Sequence, residues 1–401
     1  MKFYSAYQFS IFRILFGYFL FDFFIHLLPH SVDVYSREGM FPLSLASPFP
    51  NILVWFTTSW QIKSIIGALT IFSFFYMIGW HRRIMAFLLW YGWACLLNRI
   101  PYVTIPSEGL IGWLLLASVL IPSGKPLSIG RKVSRWEMPK EIFYGAWIIF
   151  SLAYSASSID KLQAISWRNG DILNIAFETP IARPWFLVDW INQLPSGVLK
   201  SLTWLALGLE LSFAPLALFW HSRLLVMIGM VCMHLMVLLT FNLGNLSLSM
   251  LLAHFFILDA RWFPGKTVQR DSPKPIIFID GFCVLCQRFA QFILAEDKWD
   301  VFQKAALQGK TAKKNLPVDL GQRTTTIVLK DETGVYTKSQ AIIRICEQLG
   351  GIWKFICIFR IFPIRWLDRW YACVAQFRYK IIGRWEQCQL PSTKDPKKIL
   401  P

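Results

Sequence analysis

Eight apolar stretches in the first two thirds of the chain approach the length needed to cross a lipid bilayer. They lie roughly at residues 9–28, 62–80, 84–97, 110–121, 142–158, 198–220, 224–241 and 246–258. A transmembrane helix needs about 20 mainly apolar residues, and several of these runs are shorter. The sequence therefore predicts a polytopic α-helical membrane bundle of about eight spans over residues 1–262, with the lipid bilayer as its partner.

Basic residues fall on alternate loops between these runs. With a cytoplasmic N-terminus, the loops on that side hold His81–Arg83, five basic residues between 125 and 140, Arg223, and three between 261 and 270. The largest loop on the other side, 160–192, holds three basic and four acidic residues. Since cytoplasmic loops carry the excess of Lys and Arg, we predict a protein of the bacterial inner-membrane type with both termini in the cytoplasm.

The charge content of the chain is low and its balance is basic. Only 16% of the residues are charged and the net charge is +17, whereas soluble domains contain about 25% charged residues. The positive charge is spread over loops and over a short basic tail at 392–401. This distribution is typical of segments beside anionic lipid, so we expect no nucleic-acid partner.

After residue 262 the pattern changes from long apolar runs to short elements. A linker at 263–275 precedes a β-rich stretch at 276–279, a helix over 283–295, a strand at 324–329, a hairpin turn at 331–334 and a helix through residue 349. Ser339 is expected to cap that last helix. The order of these elements predicts that residues 276–391 form an α/β domain of the thioredoxin-like class.

Cys283 and Cys286 form a Cys-x-x-Cys pair where the predicted strand turns into the predicted helix. At a helix N-terminus, unpaired backbone N–H groups and the helix dipole stabilise a thiolate and lower the pKa of the thiol. Cys283 is then the attacking thiol, and Cys286, one turn later, resolves the mixed disulfide. Asp280, at the strand end, is the candidate for accepting or supplying the proton. This chemistry requires no cofactor.

Two other interpretations of the cysteines stay open. A zinc site usually has a second Cys-x-x-Cys or a pair of histidines, but all six histidines lie before residue 260, so no metal is predicted. Alternatively the two thiols are buried and inert, which is the expectation for Cys346, Cys357 and Cys373 in apolar helix patterns. Cys388 lies in a polar segment and is left unassigned.

Several segments after residue 275 resemble the DCC family of predicted thiol-disulfide oxidoreductases, named for an Asp-x-x-Cys-x-x-Cys signature. They are the opening motif at 279–286, the helix start at 339–342, and the C-terminal signatures at 368–371, 377–379 and 388–391. The resemblance covers residues 275–391 and implies a thioredoxin-like fold. The chain departs from the wider thioredoxin pattern at Thr324 and Thr325, where thioredoxins place a cis-proline before the strand.

Ionisable residues within apolar runs are costly and are therefore functional candidates. Glu210 and His234 lie deep in such runs, each as part of either an internal polar pair or a site. Lys161 follows the run at 142–158, at the membrane edge. In a partly dry site its pKa would fall toward that of a general base. The alternative is an interfacial lysine paired with Asp160.

Motifs in the apolar part resemble, in their order along the chain, the HTTM superfamily, the membrane domain shared with vitamin K-dependent γ-glutamyl carboxylases. They lie at residues 13, 35–42, 98–101, 108, 121–124, 159–162, 167, 170, 234–236 and 241–245. The resemblance covers residues 8–262, places Lys161 at the position of an essential lysine, and matches His234 to a histidine of a late span. It implies a lipid-facing pocket of quinone size, with a quinone as the candidate ligand. Arg99 stands where the carboxylases have a histidine, so the resemblance does not imply protein carboxylation.

These features together predict a membrane-bound thiol-disulfide oxidoreductase whose redox partner is a protein or a small molecule carrying a thiol or disulfide. Two alternatives remain. In the first, the membrane domain performs carboxylase-like chemistry with Lys161 and His234, and the C-terminal domain only recognises partners. In the second, the chain is a transporter or an assembly factor. Inverted symmetry among the spans would favour a transporter, and the sequence shows none.

Overall fold

The computed structural model describes residues 3–41, 49–100, 107–123, 126–129, 136–266, 273–317, 320, 326–381, 383 and 399–400. The chain divides into two compact units. One is a helical unit, Ala6–Leu258, and the other is a C-terminal unit that consists of Asp259–Pro401 together with Met1–Ser5.

The helical unit consists of α-helices joined by short connections. Over the described residues they are α1 (Ala6–Leu27), α2 (Ser31–Tyr35), α3 (Ser59–Ile78), α4 (Arg82–Arg99), α5 (Ser107–Leu120), α6 (Lys140–Gln163), α7 (Ile165–Arg168), α8 (Ile172–Phe177), α9 (Phe186–Asn192), α10 (Ser196–Leu218), α11 (Trp220–Thr240) and α12 (Leu246–Ile257). The most extensive packing joins α1 with α3, α6 with α10, and α4 with α5.

Five segments of this unit are long and apolar enough to cross a membrane, which is consistent with a membrane protein. They are Ala6–Tyr35, Ser59–Ile78, Lys140–Gln163, Ser196–Leu218 and Trp220–Thr240. All eight predicted runs overlap helices. However, α5 and α12 have only 14 and 12 residues, and a helix rises about 1.5 Å per residue, so both fall short of a bilayer core of about 30 Å. Helix α4 carries arginines at both ends. The count of eight spans therefore stays a prediction beyond these five.

The C-terminal unit is a small α/β domain. Its elements are β1 (Ile276–Ile279), α13 (Val284–Glu296), β2 (Gln303–Ala306), α14 (Lys310–Asn315), β3 (Val328–Asp331), β4 (Gly334–Thr337), α15 (Lys338–Leu349), a 3-10 helix (Gly351–Ile361), α16 (Ile364–Ile381) and β5 (Ile399–Leu400). The described strands form one sheet in the order β4-β3-β1-β2-β5. Strand β1 is parallel to β2 and antiparallel to β3, and β2 is parallel to β5.

Successive strand residues point to opposite faces of the sheet, and a hydrophobic cluster covers each face. In β1, Ile277 and Ile279 join one hydrophobic cluster, which also contains Ala290 of α13 and Ala341 of α15. Phe278, between them, joins a second cluster on the other face with α14. The end of β1 is therefore fixed between two packed layers, and the Cys-x-x-Cys segment continues directly from it.

Some boundaries differ from the sequence expectation. The strand expected at 324–329 is observed at Val328–Asp331, and Thr324 and Thr325 lie outside the described residues. Helix α15 begins at Lys338 with Thr337 as its N-cap residue, so Ser339 is not the cap. The predicted basic tail 392–401 contributes residues 399–400 to the sheet as β5.

Candidate redox site

The cysteine pair lies where the sequence predicted it, between a strand and a helix. Strand β1 ends at Ile279, and Cys283 is the N-cap residue of α13, with extended backbone angles of φ −90° and ψ 120°. Its Sγ accepts a hydrogen bond from the backbone N–H of Cys286 at 3.4 Å. A sulfur in this position takes the place of the oxygen of an ordinary capping side chain. It lies at the N-terminus of the helix, where the helix dipole stabilises negative charge.

The surroundings of the two thiols separate their acidities. The pKa of Cys283 falls from 9.0 to about 6, chiefly because the Cys286 thiol donates a hydrogen bond to its sulfur, with the Cys286 N–H and the Arg378 charge also contributing against the cost of burial. The same hydrogen bond and burial raise the pKa of Cys286. The surroundings therefore favour the thiolate at Cys283, the form of a thiol that acts as a nucleophile, and the protonated thiol at Cys286.

Both sulfurs are covered by other parts of the domain. Cys283 is 0% and Cys286 is 3% exposed, and both belong to the hydrophobic cluster on the α13 and α15 face of the sheet. Tyr379 of α16 packs against this cluster. A substrate sulfur therefore reaches Cys283 only when some of these covering side chains move.

Asp280 is buried and accepts hydrogen bonds at both carboxylate oxygens. Its Oδ1 accepts from the backbone N–H of Phe282 and from Nε2 of Gln308, both at 3.1 Å. Its Oδ2 accepts from Nη2 of Arg378 at 3.0 Å and from the hydroxyl of Tyr379. With four donors in place, this carboxylate positions Arg378, and its part in proton transfer stays a prediction.

Arg378 is the residue of this site to which the sequence analysis assigned no role. It is only 3% exposed, and its Nη1 donates to the Cys286 sulfur at 3.5 Å while its Nη2 bonds to Asp280. The available signal was the spacing of Asp368, Tyr371 and Arg378, which places all three on one side of a helix. A guanidinium between a carboxylate and a thiol stabilises negative charge on the sulfur.

Two other contacts hold helix α16 against the domain and so keep Arg378 beside the cysteines. Asp368 accepts a hydrogen bond from the Ser339 hydroxyl at 2.5 Å, at the start of α15. The hydroxyl of Tyr371 accepts from the backbone N–H of Ile327 at 2.9 Å, just before β3. Because Tyr371 and Asp368 lie about two and about three turns before Arg378, these contacts fix the helix along its length.

In the helical unit, Lys161 pairs with a residue on another helix. Its Nζ lies 2.5 and 2.6 Å from the two carboxylate oxygens of Glu210, and Ser157 donates to the same carboxylate at 3.3 Å. The Lys161 side chain is 25% exposed and that of Glu210 is 7% exposed. The alternative partner Asp160 is therefore not the one observed.

His234 belongs to a neighbouring polar cluster inside the helical unit. Its Nε2 lies 2.9 Å from the hydroxyl of Tyr154, which also lies 3.3 Å from Nε2 of His254. Nδ1 of His254 bonds to the Met250 carbonyl at 2.7 Å. Among the described residues, Nδ1 of His234 is buried without a hydrogen-bond partner.

The predicted site residues thus form two separate groups. Cys283, Cys286 and Asp280 lie together in the C-terminal unit, whereas Lys161 and His234 lie in the helical unit. Of the other thiols, Cys346 is buried, Cys357 half-buried and Cys373 exposed, and Cys388 lies outside the described residues. Within the described ranges, no cluster of three or more His, Cys, Asp or Glu side chains has the arrangement of a metal site.

Comparisons with known proteins concern the unit that contains the cysteine pair. Residues 277–384 match the family model described as DCC1-like thiol-disulfide oxidoreductase. YuxK, an uncharacterized protein of Bacillus subtilis, is 34% identical over 134 residues, which are 32% of this chain and 96% of YuxK. A chloroplastic DCC family protein of Arabidopsis thaliana is 29% identical over 146 residues, or 31% of this chain and 83% of that protein.

No solved structure gives a significant match to the chain. The matched region includes the strand, the cysteine pair, and the helix that carries Arg378. Through this C-terminal domain, the chain belongs to the DCC1-like thiol-disulfide oxidoreductase family.

Proposed function

We propose that the protein is a membrane-bound thiol-disulfide oxidoreductase whose cysteine pair works in a thioredoxin-like domain on the cytoplasmic side of a bacterial inner membrane. The observation that carries the proposal is the Cys283 sulfur at the N-terminus of α13, where it accepts the N–H of Cys286. The sheet order β4-β3-β1-β2, with β1 parallel to β2 and α13 between them in sequence, supports the thioredoxin-like fold.

The reaction proceeds by two exchange steps. The Cys283 thiolate attacks one sulfur of a substrate disulfide, a mixed disulfide forms, and the other substrate sulfur leaves as a thiolate that takes up a proton. Cys286 then loses its proton and attacks the Cys283 sulfur, which forms the Cys283–Cys286 disulfide and releases the second substrate thiol. Two electrons pass from the protein dithiol to the substrate disulfide, and the reverse steps oxidise a substrate dithiol.

Arg378 and Asp280 serve the second step in this mechanism. Cys286 must become a thiolate to attack, and its burial and hydrogen bond to Cys283 oppose that ionisation. When Cys283 is held in the mixed disulfide, the guanidinium of Arg378 favours the thiolate of Cys286. Asp280 keeps Arg378 in position through the bond at Oδ2.

For the helical unit we propose an HTTM-like fold that binds a lipophilic partner, with a quinone as the candidate. One observation fits such a ligand: the buried Nδ1 of His234 has no hydrogen-bond partner among the described residues and is free to bind a quinone oxygen. A bound quinone would supply two-electron redox chemistry. Tyr154 and His254 hold the ring of His234 in place.

The observed contacts favour the oxidoreductase over carboxylase-like chemistry in the helical unit. A general base needs a free amine, and the Lys161 amine is held by both oxygens of Glu210. No contact in the described helices specifically favours a transporter or an assembly factor.

Oxidised glutathione tests the proposed function on the full-length protein. The wild type should release two glutathione molecules and form its own disulfide, whereas the Cys286→Ser variant should stop with one glutathione bound to Cys283. Cys283→Ser should react no faster than the uncatalysed exchange. The matched control Cys346→Ser, which replaces another buried thiol of the same domain, should behave as wild type. Equal rates for the wild type and Cys283→Ser would refute the proposal.

A further inference from the structure

Two successive elements of the C-terminal unit expose large apolar side chains. They lie on the 3-10 helix and on α16, and each is between 41% and 78% exposed: Phe355, Ile358, Phe359, Ile361, Phe362, Trp366, Trp370, Val374 and Phe377. We refer to these nine side chains as the aromatic face. Contiguous exposed apolar surface of this kind is rare on soluble proteins and marks a contact with a protein partner or a membrane.

The orientation of α16 fixes the aromatic face outward. Trp366, Trp370 and Phe377 are separated by four and seven residues and therefore form one stripe along the helix. A different side of the same helix carries Tyr371 and Arg378, which bind Ile327 and the redox site. The stripe is thus presented by a helix whose other side is already engaged by the domain.

The aromatic face lies beside two exposed arginines. Among the other charged side chains of these two elements, Arg360 pairs with Glu347, Arg378 is buried beside Asp280, and Asp368 accepts a hydrogen bond from Ser339. Arg365 and Arg369 are exposed next to the stripe, and neither forms an ion pair with another described residue. Helices that lie in the interface of an anionic membrane are typically rich in tryptophan and phenylalanine beside basic residues such as arginine.

We infer that the aromatic face docks on an anionic lipid surface. The rings of Trp366 and Trp370 enter the headgroup region, and Arg365 and Arg369 bind lipid phosphate groups. The chain itself brings the domain to lipid, since the same polypeptide contains five helices able to cross a membrane and a short tether raises the effective concentration of a docking surface. The inference does not depend on the redox function.

Cys373 provides an attachment point for the test, because it is exposed and lies on α16 between Trp370 and Phe377. The full-length protein, with Cys232, Cys283, Cys357 and Cys388 replaced by serine, carries an environment-sensitive fluorophore on Cys373. It is placed in nanodiscs of phosphatidylcholine alone or of equal parts phosphatidylcholine and phosphatidylglycerol, each with brominated acyl chains. Bromine quenches a fluorophore only at close contact. We expect strong quenching in the discs that contain phosphatidylglycerol and weaker quenching in the neutral discs.

The charge dependence is tested with a matched pair of double variants. Each arginine beside an anionic surface should change the ratio of docked to undocked domain about fivefold, so Arg365→Gln/Arg369→Gln should lower that ratio by about 25-fold. Lys313→Gln/Lys314→Gln makes the same charge change on exposed residues of α14 and should have no effect.

Three results would overturn the inference. The first is the absence of quenching in discs that contain phosphatidylglycerol. The second is equal quenching of the arginine variant and the lysine control. The third is equal quenching in the neutral discs and in the discs that contain phosphatidylglycerol, because the surface charge would then have no part in docking.

Discussion

Nη1 of Arg378 donates to the sulfur of Cys286 at 3.5 Å, although the two residues are 92 positions apart in the sequence. The other terminal nitrogen of the same guanidinium binds Asp280 at 3.0 Å. In the proposed mechanism, this contact brings a fixed positive charge to the cysteine that ionises second. A local Cys-x-x-Cys motif is therefore completed by a residue of a distant helix.

Arg378→Gln is expected to slow resolution of the mixed disulfide and to destabilise the domain. Removing one partner of a buried ion pair costs about 3–5 kcal/mol, and Asp280 would be left buried without its counter-charge. The rate of the second step should fall in this variant. Rapid acid quench at successive times, with the released glutathione counted, measures that rate. Arg369→Gln, an exposed arginine on the same helix, serves as the control and should keep both properties.

The double variant Asp280→Asn/Arg378→Gln separates stability from chemistry. It removes both charges, so we expect it to regain part of the stability that Arg378→Gln loses, as measured by thermal unfolding of the detergent-solubilised protein. Resolution should remain slow, because the charge beside Cys286 is still missing. A double variant with the resolution rate of the wild type would show that Arg378 acts only on folding.

The reactivity of Cys283 should titrate well below that of an ordinary thiol. With its pKa lowered from 9.0 to about 6, the thiolate predominates at pH 7 and is lost as the pH falls through 6. The rate of alkylation by iodoacetamide should therefore drop about tenfold between pH 7 and pH 5. Mass spectrometry of the Cys283 peptide gives this rate directly.

The second cysteine should control that midpoint. Cys286→Ala removes the thiol that donates to Cys283 and should raise the midpoint toward 9, whereas Cys286→Ser retains a donor and should shift it less. An unchanged midpoint in Cys286→Ala would mean that the low pKa of Cys283 has a different cause.

Lys161→Met should destabilise the helical unit without changing thiol exchange. The variant leaves the Glu210 carboxylate, which is 7% exposed, without its partner. We expect a loss of about 2 kcal/mol, below the range for a fully buried pair because Lys161 itself is 25% exposed. Adding Glu210→Gln should recover most of that stability.

A second lysine of the same unit provides the control for this prediction. Lys200 pairs with Asp171 at 3.0 Å with both side chains 37% exposed, so Lys200→Met should cost less than about 1 kcal/mol. Loss of exchange activity in Lys161→Met with unchanged unfolding temperature would instead favour chemistry in the helical unit.

The position of the cysteine pair was predictable because its signals are local. A short β-rich stretch, Asp280-Gly281, and a helix with an apolar stripe follow one another within 20 residues. The structure places Cys283 at the N-cap of that helix. Only the helix boundaries moved by a residue.

Arg378 was not predictable in the same way, because the apolar pattern of α16 predicts that a different side of the helix is buried. An amphipathic helix is expected to bury its apolar side, yet Trp366 and Trp370 are 59% and 72% exposed while Arg378 is buried. The side that faces the core is marked instead by Tyr371 and Arg378. Their partners become visible only when the strands and α16 are assembled.

The partner of Lys161 shows a similar limit. Asp160 is the adjacent acidic residue, but neighbours along a helix do not face one another. Both lie on α6, and the observed partner, Glu210, is on α10, 49 residues later. The pair forms because α6 packs against α10, and no local sequence pattern predicts which residues of two packed helices meet.

A redox titration of the full-length protein tests the central claim most directly. The protein is equilibrated in glutathione buffers of graded potential, quenched with acid, denatured, and labelled with a maleimide that adds mass to each free thiol. We predict that Cys283 and Cys286 lose their labels together in one two-electron transition, with about 30 mV for each tenfold change in the ratio of the two forms. If both cysteines remain labelled at every potential, the pair forms no disulfide and the proposed function is wrong.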